Sequence, residues 1–472
     1  MAKKDGTNVP TNRHVKLSPI YQVVLPGFLQ IKSKRKAFGV IALSIWASIF
    51  ALIGVVAFIY TNDLVLFFTI LTSDKYLLAI EVFIGLVGFT LVAVAFDSIV
   101  RVLRSSIKVW VKPIIAILLA AAMSGQTAVA YTGTQYVQSQ RDMLNSIFTS
   151  QTNDSTASNQ LEGLPVATLA MSHEGAALSS ANATILEGLG SGFGSPISLA
   201  SSSSSRVNIL LIGGDAGGGR IGLRADSISV LSVNKVTGKT VIIGLPRNMQ
   251  RVPFVKGSPM QKVFPNGFNC GSTCLLNAIY TYANGHRNLY SAKKYKGKNP
   301  GFEATREAVE GVLGIKIPYM LTSDMGFFAT LVFAVGGLRV CVPKRTLGED
   351  MKTVFHKGCQ TMNGSRAILY ARTRYDWDDY HRMLKQRLLQ EALIKQVTPQ
   401  DLIFNWKKVA KAASHYVTAD IPRDQLGSLL ALGMRARTQS LTTLEITPPK
   451  FNMVYPDFAA IRKSVKSTLG KN

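Results

Sequence analysis

At 472 residues the chain is too long for one ordinary domain, and it has ample length to bury a core. Its 53 Lys and Arg stand against 27 Asp and Glu, a formal charge of +26 whose field attracts nucleic acid, anionic lipid and phosphorylated substrates alike. The totals therefore point to two or three units and leave the choice of partner to the distribution of residues along the chain.

Residues 1–36 carry eight basic side chains (Lys3, Lys4, Arg13, Lys16, Lys32, Lys34, Arg35, Lys36) and one acid, Asp5. Three apolar runs follow, at 37–60, 76–96 and 109–131. Each reaches the roughly 20 residues that a helix needs to cross a bilayer. A cleaved signal peptide does not fit, because the first run starts late, is too long and is followed by others. The stretch 64–71 is apolar but short, suited to extend the first helix or to lie at the interface. The loop at 97–112 is basic (Arg101, Arg104, Lys108, Lys112 against Asp97), whereas 61–75 holds one Lys and two Asp. Basic loops stay in the cytoplasm. The expectation is a multi-pass protein of the cell membrane with a cytoplasmic N-terminus and everything after the third span outside. All four cysteines, Cys270, Cys274, Cys341 and Cys359, lie in that exterior part. An even count there fits disulfides, with Cys270–Cys274 and Cys341–Cys359 the local pairing; a zinc site is the rival.

Residues 132–205 are rich in Ser, Thr, Ala, Gly and Asn and read as an extracellular tether. The texture changes at Arg206. Strand patterns occupy 207–212, 227–234 and 240–245, and helical ones 273–282, 302–313, 380–396 and 423–435, with a helix–turn–strand over 329–342. Strands mingled with helices predict a layered α/β or α+β domain over 206–443, followed by a tail at 444–472.

Three segments carry candidate chemistry. The Gly-rich loop 213–226 formally contains a dinucleotide fingerprint, but a strand follows where the pyrophosphate-binding helix is needed, and no Gly-Lys-Ser/Thr completes a nucleotide P-loop. What remains is Asp215 and Asp226 at the junction of two strands, with Arg220 and Arg224 between them. Two acids so placed can share Mg2+, which takes oxygen ligands and keeps phosphate oxygens as partners; an ordinary solvated loop is the plainer alternative. At the end of the third strand Arg247 can clamp a phosphate through two parallel hydrogen bonds. The third segment, 370–387, holds Arg372 and Arg374, the acids Asp376, Asp378 and Asp379, then Arg382 and Gln386 four apart on one helical face. Its interleaved acids and exterior location argue against nucleic acid. No Ser-His-Asp set stands out, and His381 reads as a surface residue.

Taken in order, 208–215 (NILLIGGD), 224–228 (RADSI), Leu245-Pro246-Arg247, Gly336-Gly337-Leu338-Arg339-Val340, 362–367 (MNGSRA), Arg372-Thr373-Arg374 and the Arg382–Gln386 helix resemble the LytR-CpsA-Psr family. That resemblance implies an α/β, α-β-α layered domain with a central mixed sheet behind the all-α three-helix membrane region. It implies a phosphotransferase that moves a glycopolymer from a polyprenyl-diphosphate carrier to a peptidoglycan hydroxyl, with carrier, peptidoglycan and membrane lipid as partners and no nucleic acid. On the matching positions Asp215 and Asp226 hold Mg2+ (Mn2+ the substitute), and Arg224, Arg247, Arg372 or Arg374, Arg382 and Gln386 bind the diphosphate. Apolar residues, with Phe327, Phe328, Leu331 and Phe333 as candidates, line a tunnel for the lipid.

The chain departs from the family pattern at Asn248, where Asp is usual, at Ser227 for Thr, and at Lys385 for Arg. The spacing from Arg372 to Arg382 is also short. No departure removes a core charge. A lipid-diphosphate phosphohydrolase using the same residues and a non-catalytic wall-regulatory protein are the alternatives.

Overall fold

The structure is a computed structural model. It describes residues 27–31, 36–104, 109–148, 204–214, 225–373, 375, 379–398, 401, 405, 408–409, 412 and 417–472. Most of the basic N-terminus, most of the expected tether, and Asp215, Arg220, Arg224, Arg374, Asp376 and Asp378 lie outside the described residues.

The chain divides into two units, one formed by residues 1–58 and 78–138 and the other by 59–77 and 139–472. The first is helical. Helices α1 (Lys36–Asn62), α3 (Asp74–Arg104) and α4 (Val111–Phe148) are long and apolar enough to cross a membrane. Their large apolar side chains point outward: Phe50, Ile53, Phe58 and Phe89 are all more than half exposed. Lipid is the solvent that such a surface suits, and the helices close their own backbone hydrogen bonds as a bilayer requires. The third helix corrects the expected end at 131, because it runs on to Phe148 and takes up the first part of the expected tether.

Residues 64–71 neither extend α1 nor form a loop. Asp63 interrupts the helix and its carboxylate accepts the Leu66 amide, capping a separate helix α2 (Leu64–Thr72). This helix belongs to the second unit, where it packs on α11 (Arg423–Arg437). Arg423 donates to the Thr72 carbonyl at 2.9 Å and faces Asp74 at 3.6 Å, and Asp74 also pairs with Arg141 at 3.0 Å. The approach is close enough that a Cβ on buried Gly427 would lie 2.7 Å from the amide nitrogen of Thr69 and 2.9 Å from its Cα. Gly427→Val should therefore push the two helices apart and destabilise the unit by about 1–3 kcal/mol. Thermal unfolding of the full-length protein in detergent measures this, and an unchanged midpoint would mean that α2 does not sit on α11 in solution.

The rest of the second unit is a mixed six-stranded sheet in the order β10-β3-β2-β1-β4-β9. The strands are β1 (Arg206–Gly214), β2 (Ala225–Asn234), β3 (Thr240–Leu245), β4 (Tyr319–Asp324), β9 (Val417–Ala419) and β10 (Leu441–Glu445). β2 is antiparallel to β1 and β3, while β4 runs parallel to β1 and β10 parallel to β3. Every residue of β3 is buried, as expected of a strand covered on both faces.

One face, with Leu210, Ile212, Val230 and Ile243, is covered by α6 (Ile279–Gly285), α7 (Pro300–Leu313) and α12 (Phe458–Lys471). Asn299 caps α7, Pro300 opens it and left-handed Gly314 closes it, so local chemistry sets both ends. The expected helix at 273–282 begins later, as a 3-10 turn at Leu276–Ala278 leading into α6. Residues 444–472 are not a tail. Leu444 is in the sheet, and Ile461 and Val465 of α12 are fully buried in the core.

The other face carries α8 (Met325–Ala334), α9 (Gly364–Arg372), α10 (Asp379–Gln396) and α11, with a second core cluster that includes Val332, Leu338, Tyr370 and Leu389. Beside them lie two small hairpins, β5 (Leu338–Val342) with β8 (Gly358–Met362) and β6 (Thr346–Leu347) with β7 (Val354–Phe355). The disulfides are Cys270–Cys274 and Cys341–Cys359, the second joining opposed residues of β5 and β8.

Candidate active site

The antiparallel register of β2 and β3 builds the centre of the site. Ile228 lies opposite Leu245, so Asp226, two residues before the one, meets Arg247, two residues after the other. The Arg247 guanidinium bonds the Asp226 carboxylate through Nη1 and donates through Nε to Asp379 Oδ2 at 2.8 Å. Burial alone would lower the Arg247 pKa, but the hydrogen bonds and charges of Asp379 and Asp226 outweigh it and hold the group above its ordinary value. Arg247 is thus a permanent cation fixed between two carboxylates.

Helix α10 starts at Asp379, directly over this strand end. One turn on, Arg382 is 4% exposed, 3.4 Å from Asp379 Oδ1 and 3.4 Å from the Asp226 carbonyl. Gln386, one turn further, lies 3.5 Å from the Ala371 carbonyl at the end of α9. Arg372 ends that helix and pairs with Glu349 at 2.7 Å, both side chains more than a third exposed. Below this layer Arg387 pairs with Glu445 of β10 at 2.7 Å, and Gln390 reaches Ser229 of β2 at 3.3 Å.

Asp226, Arg247, Arg372, Arg382 and Gln386 all line one cavity of about 1110 Å³ between the sheet and α8, α9 and α10. Its inner wall is apolar, from Leu211 and Leu321 on the sheet to Phe327, Phe328, Leu331 and Leu393 on the helices. One cavity thus combines an apolar wall with linked charged groups, Arg247 with Asp226 and Arg382 beside them, the combination that orients an amphipathic ligand. Phe333 is a correction: it is 54% exposed and is not part of this wall. It stands on another face of α8 from Phe327 and Leu331, with its ring against Gly364. His381 is exposed and does not line the cavity.

Other oxygen donors reach the same cavity: Ser227, Ser323 and Asp324. Asp324 caps α8 through the Phe327 amide, and burial raises its pKa against the pull of the Phe327 and Gly326 amides. With Asp226 these groups are the donor type that Mg2+ takes. Among the described residues no three His, Cys, Asp or Glu side chains converge into a metal cage. A Mg2+ ion that takes one or two carboxylates and completes its shell with phosphate oxygens and water needs none.

Sequence reading missed Ser323, Asp324, Glu349 and Gln390, and the pairing of Asp379. Asp379 looked like an ordinary helix-start acid, although its spacing of three from Arg382 was a usable signal for a paired side chain. Glu349 carried no signal, since its partner Arg372 is distant in sequence, and Gln390 has a local partner in Arg387 but reaches Ser229 only through the tertiary fold.

The fold and site define a membrane-anchored α/β domain with an arginine-rimmed apolar cavity. The chain belongs to the LytR_cpsA_psr family, whose profile matches residues 176–461. It is 27% identical over 231 residues to the polyisoprenyl-teichoic acid–peptidoglycan teichoic acid transferase TagV of Bacillus subtilis, covering 48% of this chain and 52% of that protein. It is 28% identical over 206 residues to the probable cell wall biosynthesis protein LcpB of Corynebacterium glutamicum, covering 43% and 40%. The chain therefore spans roughly half the length of these relatives. The crystal structure of B. subtilis TagV superimposes with a TM-score of 0.41 at 26% identity, covering 57% of this chain and 98% of that one.

Proposed function

We propose that the protein transfers a glycopolymer from a polyprenyl-diphosphate carrier to a peptidoglycan sugar hydroxyl, forming a phosphodiester outside the cytoplasm. The observation that carries this reading is the cavity itself, whose lining joins apolar residues of the sheet and helices with Arg247, Arg372, Arg382 and Gln386. An isoprenoid tail suits the apolar wall, and the diphosphate suits the guanidinium groups, which match its oxygens bidentately. Family membership and the names of the teichoic acid transferases among its relatives support the same substrate class.

In the reaction the acceptor hydroxyl attacks the phosphorus that carries the glycopolymer. The bond from that phosphorus to the bridging oxygen breaks, polyprenyl phosphate leaves, and the hydroxyl proton passes to a carboxylate, with Asp226 of the cavity lining and Asp215 as the candidates. Arg247 and Arg382 sit where charge grows on the phosphoryl oxygens, and because they are already fixed by Asp226 and Asp379 they need no reorganisation. Asp226, with Asp215, would hold Mg2+, which supplies charge neutralisation at the diphosphate. The basic segments 1–36 and 97–112 support a cytoplasmic N-terminus, with the chain after the third span outside.

The test starts from full-length protein purified in detergent, whose bound lipid is identified by mass spectrometry. A polyprenyl phosphate or diphosphate is expected. Supplied with lipid-linked polymer, peptidoglycan and Mg2+, the protein should then yield polymer attached through a phosphodiester. Free polymer phosphate without attachment would make the enzyme a hydrolase, and binding without any product would make the protein non-catalytic.

A further inference from the structure

The connection between α6 and α7 holds a concentration of charge that the cavity does not use. Residues 286–298 (HRNLYSAKKYKGK) contain five cations, Arg287, Lys293, Lys294, Lys296 and Lys298, and no acid. All five are exposed. Among the described residues only Lys298 of the five enters an ion pair, with Glu303 at 3.5 Å. Like charges this close repel one another, so the segment needs a firm anchor to stay folded.

The anchor is a pair of tyrosines. Tyr290 and Tyr295 are each 5% exposed, and their rings meet edge to face at 4.9 Å. Tyr290 donates its hydroxyl to Glu307 Oε2 at 2.8 Å, and Tyr295 donates to Oε1 at 2.6 Å, so one carboxylate of α7 holds both. Short turns at Arg287–Tyr290 and Lys293–Tyr295 close the backbone between them. The result is an ordered platform with its aromatic side inward and its cations outward.

We propose that this platform binds a polyanionic glycan strand, one with repeating phosphate or carboxylate groups. The segment joins α6 to α7, which cover the sheet face opposite the one that carries the cavity, so the strand would be held apart from the diphosphate site. A membrane surface fits less well, because no large apolar side chain is exposed between 286 and 298 to enter the interface. Nucleic acid fits less well too, because both tyrosine rings are buried and offer no stacking face. Such a strand released from its counter-ions by five cations binds with strong salt dependence and little sequence preference. The proposal does not depend on the transfer reaction.

The test uses full-length protein in zwitterionic nanodiscs, with fluorescent polygalacturonate as the acidic glycan, polyglutamate as an acidic peptide and dextran as the neutral glycan. Binding of polygalacturonate and not of dextran is expected, and tighter binding of polyglutamate than of polygalacturonate would overturn the assignment to a glycan. Replacing Arg287, Lys293, Lys294, Lys296 and Lys298 together by Gln should weaken it roughly tenfold or more and reduce the slope of log K against log salt by about three. The five side chains are exposed, so an unchanged melting temperature is expected of that variant. The proposal is overturned if the variant binds within about twofold of wild type, or if removing the exposed cations Lys344, Arg345, Lys352 and Lys357 at the two small hairpins has the same effect. It also falls if the variant loses only its attraction to phosphatidylglycerol vesicles.

Discussion

Replacing Arg247 by alanine is expected to lower the rate of polymer transfer by roughly 10²–10³-fold, the usual cost of removing one fixed donor from a developing anion. The effect has two sources. The diphosphate loses a bidentate cation, and the carboxylates of Asp226 and Asp379, no longer neutralised by Arg247, repel it. Arg247→Lys keeps the charge but not the planar fork, so it should fall between wild type and alanine. Folding should survive, because Asp226 and Asp379 keep 20% and 25% of their side-chain surface in solvent and Arg382 still faces Asp379. Single-turnover transfer with lipid-linked polymer measures the loss, alongside a melting curve. An alanine variant within threefold of wild type would remove Arg247 from the reacting centre.

The second large effect is on stability. Arg387 is 3% exposed and lies between α10 and the sheet, paired with Glu445 of β10 and bonded to Gln390. Gly244 of β3 leaves the room for this pair, since a Cβ there would meet both the Glu445 carboxylate and the Arg387 guanidinium. Arg387→Met strands Glu445 beside the sheet. Breaking a buried pair costs about 3–5 kcal/mol, and the 22% exposure of Glu445 reduces that to roughly 2–4. Replacing Glu445 by Gln in the same protein should recover much of the loss, because the stranded charge is then gone. Denaturant or thermal unfolding of the single and double variants decides it: if the double variant is as unstable as Arg387→Met, the cost lies in packing and not in charge.

The site was legible in pieces. Asp226, Arg247, Arg382 and Gln386 were visible from their position at a strand end or on a helical face, Arg372 came with Arg374 as an alternative from the resemblance, and all five line one cavity. Their pairing was not visible. Arg247 and Asp379 are 132 positions apart, and nothing local says that helix α10 begins over the end of β3. Arg372 meets Glu349 because the β6–β7 hairpin folds toward α9, a contact with no periodic signature. Phe327 and Phe333 look alike in the sequence, but only the rotation of α8 against the sheet puts one in the wall and leaves the other outside it.

The fold shows the same division. Strands β1, β2 and β3 and helices α7, α10 and α11 follow from the local pattern of residues, to which α7 adds its capping residues, and such signals act within a few positions of each other. The three apolar helices follow from length and hydropathy alone, because a bilayer imposes its thickness on any segment that crosses it. What the sequence by itself determined is therefore three helices long and apolar enough to cross a membrane, a layered α/β domain, two local disulfides and five polar residues that come to line one cavity. The tertiary structure decided the rest: that α2 packs on α11, that 444–472 completes the core, and that Asp226 and Asp379 converge on one guanidinium. Those outcomes depend on strand register and on helix docking across a sheet, and both are set by the sum of many distant contacts and not by any local run of residues.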